Sequence, residues 1–356
     1  MPIALEAIEQ GYEVHIATTI TNKLKILENS GVVVHSVNFK RGKLGVTIFS
    51  EFRNLLTIIR NVSPDIVHLV TIKPVLLGGI ASRVAKVPSV VSAISGLGFV
   101  FSDHGFLSFL RKKMVLIIYF FALGNKNQKV IFQNNSDKFE IKKIIRNIED
   151  KSVLLPGSGV DLKLFSFTKH NATPPFVVMM ASRLLASKGV REFVLASKIL
   201  NDKNVKFVIV GDIDPLNPES IKQSELNLWK EYENLELWGF KKDMHNIIPK
   251  ADIMVFPSYY GEGLPKILSE SAACGRAIIT TDHPGCRDAI TQDTGVLIPI
   301  KDSVSLANAI KSFIDDPKKM VRMGRLGRML AKEKFDIKKI CKQHLKIYKS
   351  LLDKVD

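Results

Sequence analysis

Cysteine is scarce in this chain: only Cys274, Cys286 and Cys341 occur among its 356 residues. They stand far apart, without the paired spacing of a disulfide framework or a zinc site, so the sequence predicts neither. Cys274 ends the apolar run Ala272-Ala273-Cys274 and is expected to be a small core residue. No apolar stretch reaches the ~20 residues that a bilayer-spanning helix needs, and we therefore predict a cytoplasmic protein.

Acidic residues are also few, with 35 Asp and Glu against 51 Lys and Arg and a formal net charge of +16. The excess is concentrated, because residues 318–349 hold 12 basic side chains and two acidic ones. Such charge favours phosphorylated substrates, an anionic membrane face or nucleic acid. Because neither zinc-finger spacing nor an RNA-recognition signature is present, we predict no nucleic-acid partner. A solvated helix face is the alternative explanation of the cluster.

The length suits two domains of roughly 150 residues each. Short β-rich runs alternate with helical patterns, which is typical of parallel sheets covered on both faces. The predicted strands are 12–18, 32–37, 65–70, 88–94, 128–133, 152–155, 175–181, 205–210, 235–238, 252–257, 277–280 and 295–298. The predicted helices include 2–10, 47–62, 73–86, 189–200, 264–274 and 302–315. Two such series predict two doubly wound domains, in which ligands bind at the carboxyl ends of the strands.

The domain boundary is expected in the turn-rich segment 155–161. We predict an N-terminal domain over 1–157, a C-terminal domain over 158–334, and a last helix, 335–356, that packs back toward the N-terminal domain. The chain opens on a helix, whereas a doubly wound domain normally begins with a strand. We therefore hypothesise that ~15–25 further residues, one strand and its turn, precede Met1 in the complete protein. The alternative is a shorter protein with a displaced first strand.

The most informative segment runs from Glu262 to Glu270 (Glu-Gly-Leu-Pro-Lys-Ile-Leu-Ser-Glu). It follows a predicted strand, and Pro265 suits a first helical turn. A helix start offers backbone N–H groups and positive dipole to an anion. Glu262 is expected before the helix and Glu270 about two turns inside it, so the carboxylates could hold two hydroxyl-bearing parts of a nucleotide sugar. The alternatives are two solvated glutamates or the acid/base pair of a glycosidase.

Two cations, Arg183 and Lys188, lie on a predicted strand-to-helix loop at the same sheet edge. They could stabilise the diphosphate charge that builds as a nucleotide sugar loses its sugar, unless they are ordinary surface residues. Asp212-Ile213-Asp214 spells the Asp-x-Asp motif of metal-diphosphate sites. Its place after a strand of the second domain is better explained as a turn, and we predict no metal.

Together these motifs resemble glycosyltransferase family 4, over essentially the whole chain. The matching motifs are Arg183-x4-Lys188, residues 207–211, Trp238-Gly239-Phe240, Glu262-x7-Glu270 and residues 281–286. Pro74-x3-Gly78 and residues 94–101 are similar to the branch that acts on undecaprenyl-diphosphate-linked sugars for capsule, O-antigen or protein glycans. The resemblance implies an α/β, retaining GT-B enzyme with two Rossmann-like domains facing across a cleft. It implies a UDP-sugar donor, an undecaprenyl-diphosphate-linked acceptor and no cofactor.

The resemblance also implies roles for individual residues. Arg183 and Lys188 would bind the donor diphosphate and stabilise the leaving UDP, and Glu262 would hold the hydroxyls of the donor sugar. Catalysis would then rest on stabilisation of the leaving group during front-side attack. The remaining donor-side residues are Gly263, Leu264 and Pro265 against sugar and phosphate, Glu270 for the ribose hydroxyls, and Phe240 where the base is read.

On the acceptor side, many family members carry a histidine where this chain has Ser95, followed by Gly96. Because Ser95 cannot act as a general base, either backbone groups or His104 would contribute. The segment 105–123 places three cations beside bulky apolar residues, namely Arg111, Lys112 and Lys113. A basic, aromatic-rich helix can lie in a membrane interface and meet a lipid diphosphate, and its alternative is a core helix. We predict a peripheral protein on the cytoplasmic face of the inner membrane.

Two other function classes remain open at this point. A UDP-sugar epimerase shares the architecture, but it offers no reason for the Arg183-x4-Lys188 and Glu262-x7-Glu270 motifs. A non-catalytic basic protein for membranes or nucleic acid would tolerate loss of Lys188 or Glu262.

Overall fold

The computed structural model describes residues 1–19, 29–37, 39, 47–98, 106–145, 147–169 and 172–354, except the side chains of 47 and 106–112. The chain divides into two compact units. One comprises Met1–Leu155 together with Lys338–Asp356, and the other comprises Pro156–Ile337. Each unit is built on parallel strands flanked by helices.

The first unit contains two parallel sheets. Strands β1 (His15–Thr18) and β2 (Val33–Ser36) form a pair, and β3 (Ile66–Val70), β4 (Ser89–Ile94), β5 (Gln128–Phe132) and β6 (Ser152–Leu154) follow one another in the larger sheet. Its helices are Pro2–Glu9, Thr47–Val62, Ile72–Val84, Phe106–Ala122, Asn135–Lys142, Ile148–Lys151 and, from the end of the chain, Ile337–Leu352. Every residue of β4 is buried, as expected for a parallel strand with both faces covered.

Alternate side chains of this sheet build two cores. Val90, Val130 and Phe132 pack with Tyr119 of the helix Phe106–Ala122. Their neighbours Val91 and Ile131 point to the opposite face and pack with Ile347, Tyr348 and Leu351 of the last helix. The two helices therefore cover opposite faces of one sheet.

The second unit is a six-stranded parallel sheet. Its strands are β7 (Phe176–Ala181), β8 (Val205–Val210), β9 (Leu235–Gly239), β10 (Ile253–Phe256), β11 (Ala277–Thr281) and β12 (Gly295–Ile298), in the spatial order β12-β11-β10-β7-β8-β9. The helices are Val190–Leu200, Gln223–Trp229, Met244–Ile247, Lys266–Ala273, Ser303–Ile314 and Pro317–Leu330. This is the doubly wound order whose direction reverses between the first and fourth strands, here β7 and β10. A ligand crevice is expected at that switch point.

The predicted strands and helices are confirmed, with small shifts at their ends. One expectation about the helix at Lys266–Ala273 was wrong. Pro265 has an extended ψ of 121° and precedes the helix instead of forming its first turn, so Glu270 lies little more than one turn inside. The three cysteines are free and buried, which confirms Cys274 as a core residue. Within the described ranges, no helix combines the length and apolarity needed to cross a bilayer.

Candidate active site

The switch point of the second sheet brings two predicted residues together. Lys188 lies in the loop after β7 and Glu262 in the loop after β10, and these strands are direct neighbours in register, with Met254 opposite Met179. The Lys188 ammonium contacts the Glu262 carboxylate, and their side chains are only 9% and 17% exposed. The Nζ atom also lies 4.6 Å from the ring centroid of Tyr260. An aromatic wall and exclusion of water strengthen electrostatic interactions at this position.

A glycine allows the two loops to approach. Gly189 ends the short 3-10 turn Ala186–Lys188 with φ +77°, and a Cβ atom there would lie 2.2 Å from the carbonyl oxygen of Pro257. The Ser187 carbonyl accepts the Tyr259 N–H at 2.9 Å from the opposite loop. Gly189 therefore fixes Lys188 beside Glu262 by permitting both the left-handed backbone and the close contact.

The loop after β11 supports Glu262 from another side. Gly285 has φ +82°, and a Cβ atom there would lie 2.1 Å from the Gly263 carbonyl oxygen. His283 of this loop is half-buried, and burial lowers its pKa, while its hydrogen bond with the Pro284 carbonyl and the charge of the Glu262 carboxylate partly oppose the shift. The sequence motif 281–286 contained both residues, but spacing alone did not show that Gly285 adjoins the loop of Glu262.

Arg183 is placed differently from Lys188. Its side chain is 55% exposed, and Nη1 donates to Oδ2 of Asp214 at 2.9 Å. The Asp212 carboxylate accepts the N–H of Ile213, which is turn chemistry, as predicted for the Asp-x-Asp segment. Across the described ranges, no group of three or more His, Cys, Asp or Glu side chains is arranged to hold a metal. The sequence motifs did not show that Asp214 is the ion-pair partner of Arg183, a candidate catalytic cation.

The helix after Pro265 carries the second carboxylate of the motif. Glu270 is buried, and burial raises the pKa of its carboxyl group while Lys266, 3.2 Å away, partly offsets this effect. Leu264 is buried against Gly157 in the core beneath the loop, so its side chain anchors the turn. Phe240 follows β9, two strands from β7, and is exposed there. The structure does not bring Phe240 to the Lys188–Glu262 pair.

The predicted acceptor-side residues belong to the first unit. Ser95 and Gly96 follow the carboxyl end of β4, where Ser95 is half-buried and Gly96 is buried. Lys113 is exposed on the helix Phe106–Ala122. The side chains of Arg111 and Lys112, and all of His104, lie outside the described residues.

Comparison with known proteins decides the family. The profile described as "Glycosyl transferases group 1" matches residues 163–329, and that described as "Glycosyl transferase 4-like" matches residues 1–134. Together they cover the strands of both units except β6. The chain belongs to the glycosyltransferases that these two family models describe.

This glycosyltransferase is 27% identical to the N,N'-diacetylbacillosaminyl-diphospho-undecaprenol alpha-1,3-N-acetylgalactosaminyltransferase of Campylobacter jejuni, over 100% of the chain and 96% of that relative. It is 24% identical to the capsular polysaccharide biosynthesis glycosyltransferase CapM of Staphylococcus aureus, over 97% and 91%. These matches favour a glycosyltransferase over the epimerase and over the non-catalytic binding protein.

Solved structures identify the fold of the glycosyltransferase as GT-B. Anabaena HepE, determined with UDP and glucose, has a TM-score of 0.79 at 18% identity, over 98% of this chain and 94% of that one. WaaG, a glycosyltransferase involved in lipopolysaccharide biosynthesis, has a TM-score of 0.72 at 16% identity, over 97% and 93%. The predicted fold class of two Rossmann-like domains is thereby confirmed.

Proposed function

We propose that this glycosyltransferase moves a sugar, in particular an N-acetylhexosamine, from a UDP-sugar to a saccharide linked to a lipid diphosphate, with retention at the anomeric carbon. The observation that carries the proposal is the Lys188–Glu262 pair at the switch point between β7 and β10. The names of the Campylobacter and Staphylococcus relatives support an undecaprenyl-diphosphate-linked acceptor and a place in bacterial surface-glycan synthesis.

In the proposed reaction, the bond between the anomeric carbon and the donor phosphate breaks while the acceptor oxygen bonds to the same face of that carbon. The acceptor proton passes to the departing phosphate oxygen, and UDP leaves. Negative charge grows on the diphosphate, and the cations of Lys188 and Arg183 stabilise it in the transition state. These fixed cations supply the charge that a divalent metal supplies elsewhere, so we expect transfer without added metal.

The two carboxylates would orient the donor. Glu262 accepts hydrogen bonds from sugar hydroxyls while it remains in contact with Lys188. Glu270 accepts the ribose hydroxyls, and these bonds to the ionised form would offset the burial that raises its pKa. Gly263 and Pro265, between the two, would bring the helix start to the phosphates.

A donor screen tests the proposal. Purified protein is mixed with UDP-GalNAc, UDP-GlcNAc, UDP-galactose or UDP-glucose and polyprenyl-diphosphate saccharides, and UDP release and product anomer are measured. We expect UDP release that depends on the acceptor, an α-linked product from an α-linked donor, and no effect of EDTA. An isomerised UDP-sugar formed without acceptor would instead support the epimerase, and an inverted product would contradict the mechanism.

The helix Phe106–Ala122 is the proposed membrane contact. It buries Val115 and Tyr119 in the core of the first unit, so the predicted core role is correct for that side. Its outer side exposes a row of large apolar residues, Met114, Ile117, Phe120 and Phe121, next to exposed Lys113. Apolar residues flanked by cations suit the surface of an anionic bilayer. We therefore propose that the enzyme works on the cytoplasmic face of the inner membrane.

Charge reversal tests this contact. Replacing Arg111, Lys112 and Lys113 by Glu should release the protein from phosphatidylglycerol vesicles in a sedimentation assay. The matched control replaces three exposed lysines on the opposite face of the sheet, Lys342, Lys346 and Lys349, and should leave vesicle binding unchanged. Loss of binding only in the control would assign the contact to the last helix instead.

A further inference from the structure

The first turn of the helix Ile72–Val84, directly after β3, holds an ion pair with unequal burial. Lys73 Nζ lies 2.8 Å from Oε1 and 2.6 Å from Oε2 of Glu51, which belongs to the helix Thr47–Val62. The Glu51 side chain is 3% exposed, whereas that of Lys73 is 34% exposed. The ammonium also lies 5.6 Å from the ring centroid of Phe39. A buried carboxylate thus holds a lysine whose side chain is partly exposed.

Such a pair is a poor device for stability alone. Removing a carboxylate from water costs more than pairing with a partly exposed cation commonly returns. Glu51 instead positions Lys73, because both carboxylate oxygens contact the ammonium and so restrict a long, flexible side chain. An ammonium carries three donors, and charged donors form the strongest hydrogen bonds to phosphate oxygens.

The location of Lys73 connects it to the acceptor. Strand β3 pairs with β4, and the Thr71 N–H donates to the Ala93 carbonyl at 3.2 Å, so the start of the Lys73 helix and the segment Ser95–Gly96 follow neighbouring strands at the same carboxyl edge. Thr71 has φ 74° and ψ 166°, a conformation that β-branched residues rarely adopt. Backbone strain of this kind concentrates at ligand sites. The turn is therefore held in an unusual shape at the edge where the acceptor is expected.

We propose that Lys73 binds the diphosphate of the lipid-linked acceptor and that Glu51 is its positioning residue. This inference rests on the proposed function and adds to Arg111, Lys112 and Lys113 a further acceptor-side cation that the sequence motifs did not identify. The donor diphosphate belongs to Arg183 and Lys188 of the other unit, so Lys73 affects acceptor recognition separately from donor binding.

The experiment compares two acceptors that carry the same saccharide, one linked to a polyprenyl diphosphate and one to an uncharged alkyl chain. Lys73→Met should raise KM for the diphosphate acceptor about 10- to 100-fold, the loss of a charge-assisted contact. KM for the UDP-sugar and the rate with the alkyl glycoside should remain at wild-type values. Lys73→Arg should restore part of the affinity, and Glu51→Gln should give an intermediate KM with the diphosphate acceptor.

Two further variants serve as controls for the Lys73→Met result. Lys73→Met leaves the Glu51 carboxylate buried without this partner, so the pair Lys73→Met with Glu51→Leu removes both charges and should show the same acceptor selectivity. Lys86→Met, exposed beyond the far end of the same helix, should behave as wild type. Equal losses on both acceptors, or no loss on either, would overturn the inference. A wild-type enzyme that transfers to neither acceptor would contradict the proposed function and the inference with it.

Discussion

Lys188 and Glu262 each place a charge in a largely water-excluded position, and each is the other's counter-ion. Removing one partner of such a pair leaves an uncompensated buried charge, which costs about 3–5 kcal/mol. We therefore expect Lys188→Met and Glu262→Gln to destabilise the second unit individually, and the double variant to lose much less than the sum. Under the proposed function, transfer by Lys188→Met should also fall about 10²–10³-fold in kcat, because the cation proposed to stabilise the leaving group is lost.

Urea unfolding followed by tryptophan fluorescence measures the stabilities of these variants as a double-mutant cycle, since Trp229 and Trp238 both lie in the second unit. The control is Lys206→Met, which breaks an exposed pair with Glu236 in the same sheet. Exposed pairs contribute about 0–1 kcal/mol, so this variant should stay near wild type in stability and turnover. Strictly additive losses in the Lys188–Glu262 cycle would show that the two charges do not depend on each other.

Among the secondary-structure elements, the junction between β7 and the helix Val190–Leu200 depends on Gly189. An alanine there meets two penalties, a left-handed backbone that costs about 1–2 kcal/mol and a clash with the Pro257 carbonyl oxygen. Gly189→Ala should therefore lower both the stability of the second unit and kcat, because relief of the clash moves Lys188 away from the loop after β10. Urea midpoints and UDP-release rates measure the two effects.

Gly239 provides the matched control for this substitution. It has a similar φ of +66°, but a Cβ atom there would meet nothing within 4 Å. Gly239→Ala should thus show the backbone penalty alone, and the difference in unfolding free energy between the two variants isolates the contact with Pro257. Equal destabilisation by both alanines would mean that the loops after β7 and β10 pack loosely in solution.

For the whole molecule, the sequence predicted the strands well because parallel strands covered on both faces are continuous apolar runs. It also predicted the edge where Lys188 and Glu262 lie, since the carboxyl ends of such strands carry the loops. The sequence did not predict which side chains pair with each other. Arg183 with Asp214 and Lys73 with Glu51 depend on how loops and helices pack, which periodicity does not encode.

For the last helix, which the sequence predicted to pack back toward the N-terminal domain, the same limit concerns the individual side chains that meet there. Although this helix follows the second unit in sequence, it packs on the first. There His68 Nδ1 lies 2.7 Å from the Tyr348 hydroxyl, and the centroids of the His68 and His344 rings lie 5.2 Å apart. Burial lowers the pKa of His68 to about 3, with His344 adding a smaller effect, and burial lowers that of His344 to about 4. Both imidazoles are therefore neutral in the folded chain at physiological pH.

This pair predicts that acid weakens the docking of the last helix. A group whose pKa is lowered on folding contributes its full stability above its pKa in the unfolded chain, which is about 6.5 for histidine. It loses that contribution as the pH falls toward its pKa in the folded chain. Hydrogen exchange of Ile337–Leu352, corrected for the intrinsic rate, should show protection that falls steadily from pH 7 to pH 5. His344→Leu, which places an apolar side chain in the same core, should flatten that dependence. His245→Asn, in the second unit, should leave it as in wild type. A wild-type helix whose protection stays constant over this range would show that the buried histidines do not couple its docking to pH.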